Sequence, residues 1–340
     1  MVISRLRLAI GEFLVHGPTR ASIAAASVFA ALLIVPGLAS AATKPVDLRV
    51  VNTAGRALAE FRQYTGTVDI KTDRNADCFG QGNGGSGDRV KVPGSTALGA
   101  LRDGLVFDHA LRPLSVTDAF ADQGLGLGVC GIGGFKASGS SFWYLKADHA
   151  GSQVSGSQLA VKAGEPILWY LTPTFPPPAE LVLSGPASAR PGVPFGVTVS
   201  SYADDGTRTA AAGATVTGAA APTDAGGHAM VTITGTGTHT LRATRSPDIP
   251  SNGVEVCVNP DRSQCPHAHG KLIFGTAHRD RIAGTRGWDR IKSGAGRDVV
   301  DLRSGGEDRV SCGGGRDRVI ERRRDHDNRI ATSCERVIRR

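Results

Sequence analysis

The chain has 340 residues, with 39 Lys plus Arg against 31 Asp plus Glu, a net charge of +8, 45 glycines, 2 methionines and 5% aromatic residues. Many glycines, few aromatics and almost no methionine exclude helices packed on one large core, and suit short strands and turns. The expected fold is mostly β and multi-domain.

In chain order, residues 1–41 read as a secretory signal peptide. Arg5, Arg7 and Arg20 precede or adjoin an apolar run, "ASIAAASVFAALLIVPGL", that ends in Ala39-Ser40-Ala41; small residues at that point suit a cleavage site. The run is short for a membrane span and meets a helix-breaking proline. No later stretch approaches membrane-spanning length, so roughly 300 residues in two or three domains remain, with no transmembrane span after cleavage. They are expected to be secreted, extracellular or associated with the cell surface.

Six cysteines fall into three sequence-local couples, Cys78 with Cys130, Cys257 with Cys265 and Cys312 with Cys334. In an exported chain these read as disulfides, and pairing of neighbours is the simplest of many connectivities. The run "CPHAHG" offers Cys257, Cys265, His267 and His269 to zinc, but a single residue between the histidines is too tight for a structural site. Composition shifts mark the boundaries. "TPTFPPPAE" contains a stiff proline-rich linker (173–179), and "NPDRSQCPHAHG" falls within a second linker (258–270).

The first segment, 43–172, opens with the strand "VDLRVV". A short helix follows in "GSTALGALRDG", with Ser95 as its cap and Leu98 and Leu101 on one face. Strands are predicted at "LSVTD", "SFWYLKA" and "EPILWYL". One helix against a sheet makes this an α+β module. The ordered set "STALGALR", "LSVTDAF", "GVCGIGG", "SFWYLKADHAG" and "LAVKAGEPILWYL" resembles the transcobalamin-like C-terminal domain family over about residues 46–172. That resemblance implies the α+β fold and, at the level of the family, cobalamin as a ligand. Here "LKADHAGSQ" replaces the asparagine-glycine turn usual after the aromatic strand. The candidate ligand contacts are Phe142, Trp143, Tyr144, Trp169 and Tyr170, because flat rings supply contact area at low entropic cost. Alternate rings on paired strands must point inward, so Trp143 and Trp169 also suit the core. "GLGLGVCGIGG" contains a formal G-x-G-x-x-G, but no helix follows it and it reads as a turn, not a dinucleotide site.

The second segment, 180–257, alternates apolar and polar residues in "FGVTVSSY", "GHAMVTITG" and "THTLRATR", as sandwich strands do. Together with "PGVPFGVTV" and "TDAGGHAMVTI" it resembles bacterial immunoglobulin-like domains, which usually act as spacers. No site is expected at His228 or His239.

The third segment, 271–340, repeats. Asp280, Asp289, Asp298, Asp308 and Asp317 are spaced 9, 9, 10 and 9 apart, each followed two positions later by Ile282, Ile291, Val300, Val310 or Val319. This pattern resembles the hemolysin-type nonapeptide family, which implies a β-roll with aliphatic residues inside, and calcium caged by carboxylates and turn carbonyls. The calcium ligands expected from it are Asp289, Asp298, Asp308 and Asp317. Several turn glycines are missing, and the segment holds 18 Lys plus Arg against 11 Asp plus Glu, a net of +7. An alternative expectation is therefore that Arg279, Arg281, Arg290, Arg297, Arg309, Arg316 and Arg318, beside the aspartates, neutralise them in place of the ion. The final stretch, with Cys312 and Cys334, reads as a cap.

No G-x-S-x-G elbow, H-E-x-x-H or P-loop occurs, and an enzyme is not expected. The function anticipated is an exported binding protein with a small-ligand or surface-binding module on a spacer and calcium in the repeats. The alternative is a structural envelope protein whose basic tail contacts an anionic cell-wall polymer. Nucleic acid is not the expected partner, because only Trp288 interleaves the arginines of the tail.

Overall fold

A computed structural model describes residues 42–325 and 327–340; the signal-peptide segment lies outside the described residues. The protein is mostly β, with one α-helix and several separate sheets. Residues 42–340 belong to one compact unit, within which three hydrophobic cores and one small buried cluster form.

"KPVDLRVV" builds the strand Lys44–Val51. Val46, Leu48 and Val50 point into the first core, while Asp47 and Arg49 take the opposite face, because successive side chains of a strand alternate. The strand pairs antiparallel with Ala57–Thr65, in parallel with Glu165–Thr172, and through the latter reaches Phe142–Ala147. On the core face lies the helix Ala97–Phe107, whose Leu98 and Leu101 are fully buried. Its cap is Thr96, not Ser95: the Thr96 side chain accepts from Gly99 N, whereas Ser95 Oγ donates to Thr65 O at 2.7 Å. A one-residue shift frees Ser95 to anchor the helix to the sheet.

Asp103 on this helix is buried, and one of its carboxylate oxygens has no partner. Burial pushes its carboxyl up to about 7 from 3.8. A carboxyl raised in the folded state ionises first in the unfolded chain, so stability is lost as pH rises from about 4 to about 7. Asp103→Asn is therefore expected to melt near the parent at pH 4 and above it at pH 7. Melting curves at both pH values check this, and a constant gap would refute it.

The second core fills a sandwich from Leu181, Leu183, Val197, Val199, Val231, Leu241, Val254 and Val256. Strands Glu180–Ser184 and Phe195–Tyr202 lie in one sheet, Gly237–Leu241 and Val254–Val258 in the other. This lobe packs onto the charged face of the first sheet. Gly151 N donates to Asp204 O at 2.8 Å, and His149 stacks on Tyr202 with ring centroids 4.1 Å apart.

The repeats wind into a flattened coil. Leu272–Thr276, Arg290–Gly296, Arg309–Gly315 and Arg329–Ile330 stack in parallel on one face, and Arg281–Ala283, Val299–Asp301, Arg318–Glu321 and Arg336–Arg339 on the other. Ile282, Ile291, Val300, Val310 and Val319 all point into the core between them.

The first face of the coil does not stand alone. Its strand Leu272–Thr276 pairs in parallel with Ala57–Thr65, so one nine-stranded sheet runs from the first lobe through the coil. Tyr64 enters the coil core and its hydroxyl accepts from Ala283 N at 3.1 Å; Gln63, fully buried, donates to Gly275 O at 2.7 Å. A solenoid exposes apolar ends unless capped. Here the first lobe caps one end, and the Cys312–Cys334 disulfide ties the other. Cys78–Cys130 and Cys257–Cys265 complete the three neighbour pairings anticipated.

Candidate functional site

The repeat aspartates occupy the two edges of the coil. All five are buried, and beyond Asp280 their carboxylates accept backbone N–H groups from the coil before: Asp298 from Asp280 at 2.9 Å, Asp317 from Asp298 at 2.8 Å, and Asp308 from Asp289 at 2.9 Å. Asn328 and Glu335 continue the two ladders by accepting from Asp308 and Asp317. None of the five pairs with any of the arginines expected to neutralise them, among the described residues. The reason is alternation: neighbours of an inward-pointing side chain point outward.

The four aspartates expected to share calcium therefore do not converge. Asp289 and Asp308 lie on one edge, Asp298 and Asp317 on the other, and no cluster of three or more acidic, histidine or cysteine side chains suited to a metal occurs among the described residues. Their surroundings differ. Thr285 and Lys271 N satisfy both oxygens of Asp289. Asp298 Oδ2, Asp317 Oδ2 and Ser293 Oγ at the Asp298 edge are buried without partners, and so is Asp308 Oδ2 at the other edge. Burial is the main cause that raises the Asp298 carboxyl to about 6, and Asp308 is raised to about 7 in the same way.

The turns before Asp298 and Asp317 carry Gly294, Gly296, Gly313 and Gly315, all with φ between 99° and 142°. A side chain at Gly313 would meet the Gly294 carbonyl, so only glycine lets these turns stack. Calcium needs six to eight oxygens. Asp298 and Asp317 each leave one carboxylate oxygen without a partner at their edge, whereas Asp289 has no oxygen to spare.

The five candidate rings separate in the same way. Trp143 and Trp169 belong to the first core, and Tyr170 joins Val51, Leu168 and Ile249 in a small cluster under the sandwich. Phe142 and Tyr144 gather with Phe175, and the Tyr144 hydroxyl donates to Asp204 at 2.9 Å. The turn that follows, at Asp148 and His149, has positive φ at both residues and is covered by the sandwich. The rings form no single platform, and these residues do not fit a corrinoid.

A cleft of about 660 Å³ opens where the three lobes meet. Its floor is the charged face of the first sheet. Asp47 and Arg62 sit opposite each other on paired strands and form a two-pronged ion pair at 2.9 and 3.0 Å, while Lys271 from the coil reaches the same carboxylate at 2.6 Å. These two cations hold Asp47 below the usual carboxylate range although its burial opposes them. Arg242 of the sandwich binds Glu60 at 2.6 Å.

Behind them, Arg49 and His149 bind Glu180; their hydrogen bond and charge outweigh burial and keep its carboxyl low. Lys146 is fully buried, donates only to Ala203 O at 3.1 Å, and has its ammonium pKa lowered by desolvation. The walls carry six Lys and Arg side chains, Arg49, Arg62, Lys146, Arg242, Lys271 and Arg290, against four carboxylates, Asp47, Glu60, Glu180 and Glu255. Trp288 stands at the rim, 37% exposed.

The alternating charges of "VDLRVV" were visible in the sequence, but that they face two other lobes was not. The strand Ala57–Thr65, absent from the sequence reading, is the partner that completes this floor. Its own alternation of Ala59 and Phe61 with Glu60 and Arg62 was the available signal. The chain matches no family profile, no curated protein and no solved structure, so the cleft and the coil edges stand on their own geometry.

Proposed function

We propose that this protein is an exported, non-catalytic binding protein whose small ligand, carrying carboxylate or phosphate groups, sits in the cleft between the lobes. The observation that carries this reading is that all three lobes bring accessible cations, Arg62, Arg242, Lys271 and Arg290, to one concave surface that exposes only Asp47, Glu60 and Glu255 beside them. Clefts between domains are a common seat for ligands, and guanidinium groups grip carboxylate and phosphate in paired hydrogen bonds. Three disulfides suit an oxidising compartment outside the cytosol, and no described helix is long and apolar enough to cross a membrane.

Calorimetry and thermal melting with citrate and inorganic phosphate, at fixed ionic strength, test the site. Binding should raise the melting temperature in a saturable way. Lys271→Gln together with Arg242→Gln should weaken it by about tenfold, the scale of one or two charge-assisted bonds. A response that follows ionic strength alone counts against the site.

A second reading is favoured by the unpartnered oxygens of Asp298 and Asp317: calcium held at that edge of the coil. Bound there, the ion would neutralise two buried carboxylates and stiffen two successive turns. Calcium is expected to raise the melting temperature where equimolar magnesium does not, and Asp317→Asn should abolish the difference while Asp289→Asn leaves it. Equal responses to both cations, or none, would set calcium aside.

A further inference from the structure

The outward face of the coil, on the opposite side of the strands from the inward-pointing aspartates, carries a line of arginines. In the parallel register of the first face, Arg290 lies beside Arg309, and Arg309 beside Arg329. All three are exposed, because Ile291, Val310 and Ile330, their next neighbours, turn inward to the core. The strand spacing puts each guanidinium stem about 4.8 Å from the next. Like charges side by side on a sheet oppose folding, yet nothing relieves them here. Among the described residues Arg309 and Arg329 pair with no carboxylate, and Arg290 has only Glu255 at 3.8 Å, a contact in which both side chains are more than half exposed.

The arginines line an open groove of about 690 Å³. One wall is the end of the helix, where Phe107 stacks on Phe274 at 4.7 Å, and Lys292 lies 5.7 Å above the Phe274 ring. Asp108 is the one acidic residue along the groove. The opposite face of the coil has no such line, since its corresponding file reads Arg281, Val299, Arg318, Arg336 and is broken by a buried valine.

We infer that this groove is a track for a linear polyanion with one carboxylate per repeat, of the polyuronate class. The inference rests on the reading of the basic tail as a contact for an anionic polymer, and names the surface and the chemistry. Three features select that class. The line is straight and evenly spaced, which matches a polymer and not a compact ion. A pyranose residue is about as long as the strand spacing of roughly 4.8 Å, so the carboxylates that a linear uronate chain presents on one side, at every second or third residue, stay in phase with the evenly spaced guanidinium forks. The wall is apolar but presents no exposed aromatic plane for unstacked bases, which single-stranded nucleic acid binding uses.

The test uses residues 42–340 with all disulfides formed, in calcium-free buffer. Binding of a polygalacturonate oligomer is measured by calorimetry against monomeric galacturonate, neutral dextran, oligodeoxythymidylate and polyphosphate. The track predicts that the oligomer binds more tightly than all the others. Arg290→Gln, Arg309→Gln and Arg329→Gln together should weaken it at least tenfold and flatten its salt dependence by about one charge per arginine removed. Arg281→Gln with Arg336→Gln on the opposite face should leave it within about twofold. Unchanged melting temperatures show that both variants stay folded. If no polyanion binds at low salt, both the tail reading and the track fall. Equal losses from the two variants would keep the tail as a general basic surface and overturn the track. Tighter binding of oligodeoxythymidylate or polyphosphate would overturn the uronate class.

Discussion

Glu180→Ala is expected to destabilise the docking of the sandwich on the first lobe by about 3–5 kcal/mol, the cost of leaving one member of a buried ion pair alone. The Arg49 and Glu180 side chains are only 8% and 3% exposed. Glu180 opens the first strand of the sandwich, and Arg49 belongs to the central strand of the first sheet. Arg49 also donates to Pro250 O at 2.7 Å, so its charge cannot swing out to water without breaking a second link between the lobes.

Urea unfolding should show the midpoint lowered, or a separate early transition as the sandwich detaches. Arg49→Met combined with Glu180→Leu should recover most of the loss, because a matched apolar pair carries no desolvation penalty. A loss below about 1 kcal/mol for Glu180→Ala would mean that the pair behaves as a solvated surface bridge. Arg49 and Glu180 also line the back of the cleft. A variant with detached lobes should therefore lose the citrate response as well.

Cys312→Ser with Cys334→Ser should cost about 3 kcal/mol by the entropy of closing the loop between them, whose sequence separation is 22. The loss should be local. One end of the coil is held by Tyr64 and Gln63, but among the described residues the last strands pair only with the turn before them, and this bridge ties them down. Hydrogen exchange is expected to speed up in Arg309–Gly315 and Arg329–Ile330 and to stay slow in Leu272–Thr276. Uniform loosening of all coils would show that the coil unfolds as a single unit. Because Arg329 ends the arginine line, the bridged and unbridged forms should also differ in their affinity for polyuronate.

Periodicity was the part of this chain most legible without coordinates. A residue two places after each aspartate is buried because two strands per coil and an alternating backbone leave it no other direction, so Ile282, Ile291, Val300, Val310 and Val319 could be placed inside once their spacing was matched to the nonapeptide repeat. The strands "VDLRVV", "SFWYLKA" and "EPILWYL", the helix carrying Leu98 and Leu101, and the three disulfide couples were legible for similarly local reasons.

Relations between segments were not. The coil joins the first sheet by a parallel pairing between Ala57–Thr65 and Leu272–Thr276, across some two hundred residues of intervening chain. Backbone hydrogen bonds of that kind leave no mark on composition or period. For the same reason the aspartates, evenly spaced in the sequence, divide between two edges once the chain turns twice per coil, and their neighbouring arginines point away from them. The cleft arises only when three lobes pack together and bring Arg62, Arg242 and Lys271 to one place. The arginine line shows the same division of causes. Its residues recur in the sequence, but their straightness and spacing come from the parallel register, which tertiary packing alone imposes.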